Sequence, residues 1–152
     1  MKQYLLIVLC MAALVTGCLL KSDDDFDIYF YDDPCIIPKQ DYTYLTCAAI
    51  NVVIDYGGRL VSLTIPAEFT TDLASIPRWL WPIIAPTRSD IMGAAILHDY
   101  LYSDHMGFTR SEIDEIFLQA LLDSGTPMLR AYEMYLAVRV FGGLHFNQGH
   151  LS

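Results

Sequence analysis

The segment Ala49-Ile-Asn-Val-Val-Ile-Asp-Tyr56 is followed by Gly57-Gly58 and then by Arg59-Leu-Val-Ser-Leu-Thr-Ile65. Both flanking segments are rich in β-branched and aliphatic side chains, which favour strands. Two consecutive glycines supply the positive φ angles that a two-residue hairpin turn requires. The sequence therefore predicts an antiparallel β-hairpin in the N-terminal half.

The rest of the N-terminal half also favours strands. Phe26–Tyr31 is aromatic and β-prone, and Tyr42–Cys47 alternates Tyr, Tyr and Leu with threonines. Phe69–Pro82 fits neither a helical nor a strand period. We predict that it is a connector between the two halves, in which Asp72 and Ser75 form turn hydrogen bonds with the local backbone.

The C-terminal half changes to a helical period. Thr109-Arg-Ser-Glu112 is a capping box, and Thr126-Pro127 places a cap and then a proline at the first helical position. Strands followed by helices indicate an α+β fold, with N-terminal antiparallel strands and a three-helix C-terminal half. The predicted helices run from Ser89 or Asp90 to about Ser103, from Thr109 to Gly125 and from Thr126 to Gly142-Gly143.

The N-terminus has the three parts of a secretory signal. Lys2 gives a positive start, Tyr4–Val15 carries no charge, and Thr16-Gly17 places small residues before Cys18. The apolar run has about a dozen residues, fewer than the roughly 20 that a membrane-spanning helix needs. Residues 1–17 are therefore predicted to be a cleaved signal peptide.

Cys18 is the expected site of a lipid anchor. Val15-Thr-Gly-Cys18 resembles the lipobox that the lipoprotein signal peptidase cuts, and acylation there gives permanent anchoring. The alternative is an ordinary signal peptide cut elsewhere, with Cys18 a plain thiol. Leu19 in place of Asp resembles the enteric sorting signal for the outer membrane. We expect a tether over residues 18–25 and one periplasm-facing globular domain over residues 26–152.

The mature chain is strongly acidic. Loss of Lys2 leaves eight basic residues against 18 acidic ones, a net charge of −10. Binding to nucleic acid through counterion release needs a basic surface, so nucleic acid is not an expected partner. The same charge disfavours docking on anionic headgroups. Membrane contact is therefore expected through the lipid anchor.

Cys35 and Cys47 remain after signal cleavage and lipidation. Two such thiols in an oxidising compartment favour a disulfide, which would close a loop of about a dozen residues. Metal binding or redox catalysis is the alternative use of the pair, but CxxC spacing is absent. The sequence therefore favours a structural bridge.

His98 lies on the apolar face of the first predicted helix, with Ile91, Ala94, Ala95 and Tyr102 at steps of three and four residues. An inward imidazole without a partner is costly. His98 is also the first histidine of the chain, whereas the HD-type metal phosphohydrolases need another histidine upstream. A carboxylate is therefore the expected partner of His98.

Asp114 turns partly into the apolar face of the second predicted helix, and a buried carboxylate must also find a partner. The simplest arrangement pairs the Asp114 carboxylate with the His98 imidazole. This fixes the tautomer of His98 and leaves the second ring nitrogen to take a proton from water. Asp99 lies about 100 degrees round the helix, where its oxygens suit a hard cation. The alternative is a core histidine satisfied by a carboxylate.

Four motifs in combination resemble a known family. On the basis of these motifs, the segment over roughly residues 50–143 is identified as a member of the family of unknown function numbered 1353 (DUF1353). This family is common in bacteriophages and prophages. The resemblance implies a phage or prophage setting and carries no established activity. The motifs are Phe69-Thr-Thr-Asp-Leu-Ala-Ser-Ile-Pro-Arg78, Ala95-Ile-Leu-His-Asp-Tyr-Leu-Tyr102, Arg110-Ser-Glu-Ile-Asp-Glu-Ile-Phe117 and Tyr135-Leu-Ala-Val-Arg-Val-Phe-Gly142.

The helix pair is also distantly similar to that of the secretory calcium-dependent phospholipases A2, especially the small bacterial and fungal ones. Those enzymes have a His-Asp-x-x-Tyr helix followed by a helix bearing Arg-x-x-x-Asp. The resemblance implies that His98 is the base that activates water. It also implies that Asp114 orients His98 and that Tyr102 supports this network.

Calcium is the cofactor that this resemblance implies. It gives Asp99 as a calcium ligand, with Thr71-Asp-Leu-Ala-Ser75 in the place of the calcium loop and Asp72 as a further ligand. Those enzymes usually have a disulfide cysteine three residues before the histidine, where this chain has Ala95. Their calcium loop also differs in sequence and often contains glycine.

Three functions are consistent with these features. The leading hypothesis is a phage- or prophage-type outer-membrane lipoprotein with a phospholipase-like hydrolase site, in which His98 activates water against an ester such as a phospholipid. The alternative is a non-enzymatic lipoprotein that blocks an outer-membrane receptor protein and so excludes superinfection. Lipid anchoring suits both, because it raises the local concentration near a bilayer or a receptor. A third is a domain that keeps the His–Asp pair only as a buried polar contact.

Overall fold

The predicted α+β architecture is confirmed by the computed structural model, which describes residues 26–40, 43–73 and 88–143. In these residues antiparallel strands precede the helices. The strands are β1 (Phe26–Phe30), β2 (Ile36–Pro38), β3 (Tyr44–Thr46), β4 (Ile50–Tyr56), β5 (Arg59–Ile65) and β6 (Thr70–Thr71), and the helices are α1 (Ser89–Ser103), α2 (Arg110–Asp123) and α3 (Met128–Phe141).

The predicted hairpin is β4 and β5, and it forms part of an antiparallel sheet of order β1-β4-β5. Tyr56 lies opposite Arg59 across the turn. Gly57 and Gly58 have φ angles of +57° and +80°, the left-handed conformation that this turn requires of both central residues. Alternate residues of β4 face the core, and these are Ile50, Val52 and Ile54.

A second antiparallel sheet has the order β2-β3-β6. Only β3 was predicted, as the longer segment Tyr42–Cys47. β2 and β6 were not predicted, because strands of three and two residues are too short to show an alternating pattern. β6 lies inside the segment predicted to be a connector without regular structure.

Cys35 and Cys47 form a disulfide with their Cα atoms 5.3 Å apart, as predicted. Cys35 precedes β2 and Cys47 follows β3, so the bridge closes the open end of this strand pair. Cys47 N also donates a hydrogen bond to Cys35 O at 3.0 Å. The bridge therefore fastens the smaller sheet.

Reduction of this disulfide is expected to lower the free energy of unfolding by about 3 kcal/mol, because a loop of this length no longer restricts the unfolded chain. Urea unfolding with and without reductant measures the change, and a Cys35→Ser/Cys47→Ser protein is the matched control. An unchanged unfolding midpoint after verified reduction would contradict this role.

The helix starts follow local signals. Thr109 caps α2 as predicted, because its side chain accepts from Glu112 N and the Glu112 carboxylate accepts from Thr109 N at 2.6 Å. α3 begins at Met128, and Pro127 occupies the N-cap rather than the first helical position. The ψ angle of Pro127 is 132°, which is extended. The predicted start of α3 was therefore slightly early.

The core lies between the larger sheet and the helices, with α2 packed against α1, α3 and β1. Asp123 at the end of α2 accepts a hydrogen bond from Ile28 N at 2.9 Å, which joins the helix to β1. Within the three described ranges, no helix combines the length and apolar composition needed to cross a membrane.

Some predictions fall on residues outside the described ranges. These are the signal peptide over residues 1–17, the lipidated Cys18 and the tether that follows it. Residues 74–82 of the predicted connector and residues 144–152 of the predicted globular domain are also outside.

Candidate functional site

The loop between α1 and α2 positions the two helices that carry the predicted site. Arg59 on β5 donates hydrogen bonds to Met106 O at 3.0 Å and to Gly107 O at 3.3 Å. Its guanidinium also lies 4.3 Å from the ring centroid of Phe108, a cation–π contact. The loop that separates His98 from Asp114 is thus fastened to the β-hairpin.

His98 and Asp114 meet in the core, as predicted from their inward positions. His98 Nε2 lies 3.0 Å from Asp114 Oδ1, and neither side chain is exposed. Tyr102, one helical turn after His98, donates its hydroxyl proton to the same oxygen at 2.6 Å. The predicted contacts of Tyr102, His98 and Asp114 are therefore present, while their catalytic roles stay predictions.

Two arginines complete the surroundings of Asp114. Arg139 on α3 donates to Asp114 Oδ2 at 3.1 Å, and Arg110 Nε lies 3.8 Å from the same oxygen. Arg110 also donates to Tyr102 OH at 3.3 Å and to the carbonyl oxygens of Val138 and Arg139. Neither arginine was predicted to take part in the site, although the spacing from Arg110 to Asp114 is that of one helical turn.

The glycines that end α3 leave room for this network. A Cβ atom on Gly142 would come within 2.8 Å of Tyr102 OH and 2.6 Å of Val138 O. A Cβ atom on Gly143 would lie 3.0 Å from Arg110 Nη1. Larger residues would displace Tyr102 or Arg110, so these glycines allow the chain to pass close to the site.

The neighbours of His98 and Asp114 shift the pKa values of both groups. Burial alone would lower the pKa of His98, but the hydrogen bond to Asp114 and the negative charges of Asp99 and Asp114 raise it. Burial alone would raise the pKa of Asp114, but hydrogen bonds from His98, Tyr102 and Arg139 lower it. Burial and the bond to Asp114 together raise the pKa of Tyr102. Tyr102 therefore acts here as a neutral hydrogen-bond donor.

The second ring nitrogen of His98 is differently placed. Within the described part of the chain, Nδ1 is buried and has no hydrogen-bond partner. Asp99 Oδ1 lies 3.9 Å from it, beyond hydrogen-bond reach. The rings of Tyr102 and Phe117 pack on the imidazole, with centroids at 4.1 and 4.8 Å. Among the described residues, His98 thus has one ring nitrogen bonded to a carboxylate and one without a partner, a pattern that a histidine general base shares.

Asp99 has a hydrogen-bond partner that was not predicted from the sequence. The hydroxyl of Thr71, on β6, donates a hydrogen bond to Asp99 Oδ2. Thr71 belongs to a segment without periodicity and lies 28 residues away in sequence, so no local pattern indicated the contact.

In the described part of the chain, the predicted calcium ligands Asp99 and Asp72 do not belong to a larger cluster of metal-ligating side chains. Among the residues that the structure describes, no group of three His, Cys, Asp or Glu side chains is placed to hold a metal ion. Ala74 and Ser75 of the predicted calcium loop lie outside those residues. Calcium binding by Asp99 and Asp72 stays a prediction.

Comparison with known proteins places the site within a family. A sequence model described as Protein of unknown function (DUF1353) matches residues 50–138. The matched segment contains His98, Asp99, Tyr102, Arg110 and Asp114, and it ends one residue before the second arginine of the network. No curated protein and no solved structure matches the chain. The similarity to phospholipases A2 and the phage setting stay predictions. Because the match spans more than half of the 152 residues, the chain belongs to the DUF1353 family.

Proposed function

We propose that this chain is an ester hydrolase of phage or prophage origin, exported and held at the outer membrane by a lipid on Cys18. The observation that supports this proposal is the different hydrogen bonding of the two ring nitrogens of His98. Its Nε2 is bonded to Asp114, while its Nδ1 has no hydrogen-bond partner among the described residues. A histidine used only as a core contact gains nothing from an unsatisfied buried nitrogen.

The proposed reaction follows from the tautomer that Asp114 imposes. With its proton on Nε2, His98 has a lone pair on Nδ1 that takes a proton from water. The water oxygen attacks the ester carbonyl carbon, and the resulting tetrahedral intermediate then loses the alkoxide. His98 returns the proton to that leaving oxygen, so acid and alcohol are released and the enzyme is unchanged.

The contacts around Asp114 support this role. The imidazolium that forms on His98 needs a negative partner, and Asp114 supplies it at 3.0 Å. Hydrogen bonds from Tyr102 and Arg139 hold the carboxylate in position on both of its oxygens. A base oriented in this way needs no protein nucleophile.

A phospholipid is the proposed substrate because the lipid anchor would keep the domain beside a bilayer. The test uses the full-length acylated protein in detergent, with phospholipid micelles and a soluble fatty-acyl ester as substrates. We expect release of fatty acid, measured with added calcium and with a chelator to test the predicted cofactor. Equal release by wild type and a His98→Gln protein on every substrate would refute the hydrolase.

The anchor has a separate test. Replacing Cys18 by serine is expected to abolish labelling by a fatty-acid analogue and to leave an uncleaved or soluble protein, because the thiol is the acceptor of the lipid. Membrane fractionation and metabolic labelling measure both effects. Full partition of a processed Cys18→Ser protein into outer membranes would contradict lipid anchoring.

A further inference from the structure

Thr71 is a buried hydroxyl beside the proposed site. It lies opposite Tyr44 of β3 and is 1% exposed. Its Oγ1 accepts a hydrogen bond from Leu73 N at 3.0 Å and donates one to Asp99 Oδ2. A hydroxyl has one proton, and Leu73 N is itself a donor, so the proton of Thr71 is directed to the carboxylate.

The backbone conformation after β6 keeps the hydroxyl proton of Thr71 directed at the Asp99 carboxylate. Leu73 is fully buried and has a φ of +64°, a left-handed conformation that is rare for leucine. Such a conformation persists only where the surroundings impose it. Here it accompanies the hydrogen bond from Leu73 N to Thr71, which fixes the hydroxyl rotor.

We infer that Thr71 is a positioning residue, whose hydroxyl holds the Asp99 carboxylate beside Nδ1 of His98. Asp99 Oδ1 lies 3.9 Å from that nitrogen, close enough for its charge to act on the ring. In the proposed reaction the carboxylate stabilises the imidazolium that forms when His98 takes a proton. This consequence rests on the proposed function, whereas the placement of Asp99 by Thr71 does not.

Three variants separate this role from general stability. Thr71→Val keeps the shape and removes the hydroxyl, and Thr71→Ser keeps the hydroxyl. Thr46→Val is the matched control. Thr46 is also 1% exposed on a strand of the same sheet, and its hydroxyl likewise donates to one group, Pro66 O, and accepts from another, Phe69 N.

The first measurement needs no substrate. In ¹H–¹⁵N spectra of the histidine rings at one fixed pH, we expect Thr71→Val to shift the Nδ1 resonance of His98. Thr71→Ser and Thr46→Val should leave it close to its wild-type position. An unshifted Nδ1 resonance in folded Thr71→Val, or an equal shift in Thr46→Val, would overturn the inference.

The second measurement is ester hydrolysis. We expect Thr71→Val to lower kcat about tenfold, the effect of losing one hydrogen bond to a charged group, with KM little changed. Thr71→Ser should restore kcat and Thr46→Val should retain it. Equal losses in Thr71→Val and Thr46→Val would reduce Thr71 to a structural residue. Absence of hydrolysis in the wild type would refute the proposed function alone, and the ring spectra would then decide the placement of Asp99.

Discussion

Replacing His98 by glutamine is expected to lower ester hydrolysis by about 10²- to 10⁴-fold, the usual contribution of a general base. The glutamine amide nitrogen reaches roughly the position of Nε2, so it still donates to Asp114. It carries no basic nitrogen in the place of Nδ1. Folding should largely survive, because the buried carboxylate keeps a donor on the oxygen that His98 contacts at 3.0 Å.

The matched control is His105→Gln, in the loop after α1, which should keep full activity. Circular dichroism and thermal unfolding establish that both variants are folded. Activity of folded His98→Gln within a few-fold of wild type would leave the histidine as a structural contact.

The same variant separates the hydrolase from a receptor-blocking lipoprotein. His98 is buried, so it contributes little to a surface that binds another protein. If the chain blocks a receptor, His98→Gln cells should resist phage as well as wild-type cells, and substitutions in exposed loops should matter instead. Loss of protection together with loss of hydrolysis would instead tie the biological effect to the reaction.

The parts of the fold that were predictable have strong local signals. The glycine pair at Gly57-Gly58 specified the hairpin, and the capping box at Thr109 specified the start of α2. The pairing of His98 with Asp114 followed because each is polar on an apolar helix face and a short loop joins their helices. Two inward polar groups on adjacent helices have few other partners.

The remaining parts depend on tertiary packing. Arg139 reaches Asp114 from 25 residues away, and this contact exists only because α3 packs beside α2. Thr71 meets Asp99 because a two-residue strand pairs with β3, and so short a strand has no pattern to detect. The sequence therefore predicted the central pair and missed the groups that hold it in place.

Replacing Asp114 by asparagine is expected to lower the free energy of unfolding by about 3 kcal/mol, toward the lower end of the range for breaking a buried charged pair. An amide in this position turns a donor toward Arg139 and cannot neutralise the charge of the guanidinium. The loss is limited because the arginine side chains near Asp114 are 30% and 37% exposed and reach water. The matched control is Asp90→Asn at a surface ion pair, where the expected loss is below about 1 kcal/mol.

The dependence of this loss on pH identifies its origin. The pKa of Asp114 is lowered from 3.8 in the folded protein, because hydrogen bonds from His98 and its neighbours outweigh burial. Its contribution is therefore fully present above pH 3.8 and is lost as the pH falls through the lower folded value. The pKa of His98 is raised from 6.5, because Asp114 and Asp99 outweigh burial. The stabilising contribution of His98 is therefore present below pH 6.5 and is lost as the pH rises through the folded value.

The stability difference between wild type and Asp114→Asn, measured by urea unfolding across pH, should be largest between 3.8 and 6.5. A difference that does not change with pH would mean that packing, rather than the charges of the pair, makes Asp114 necessary.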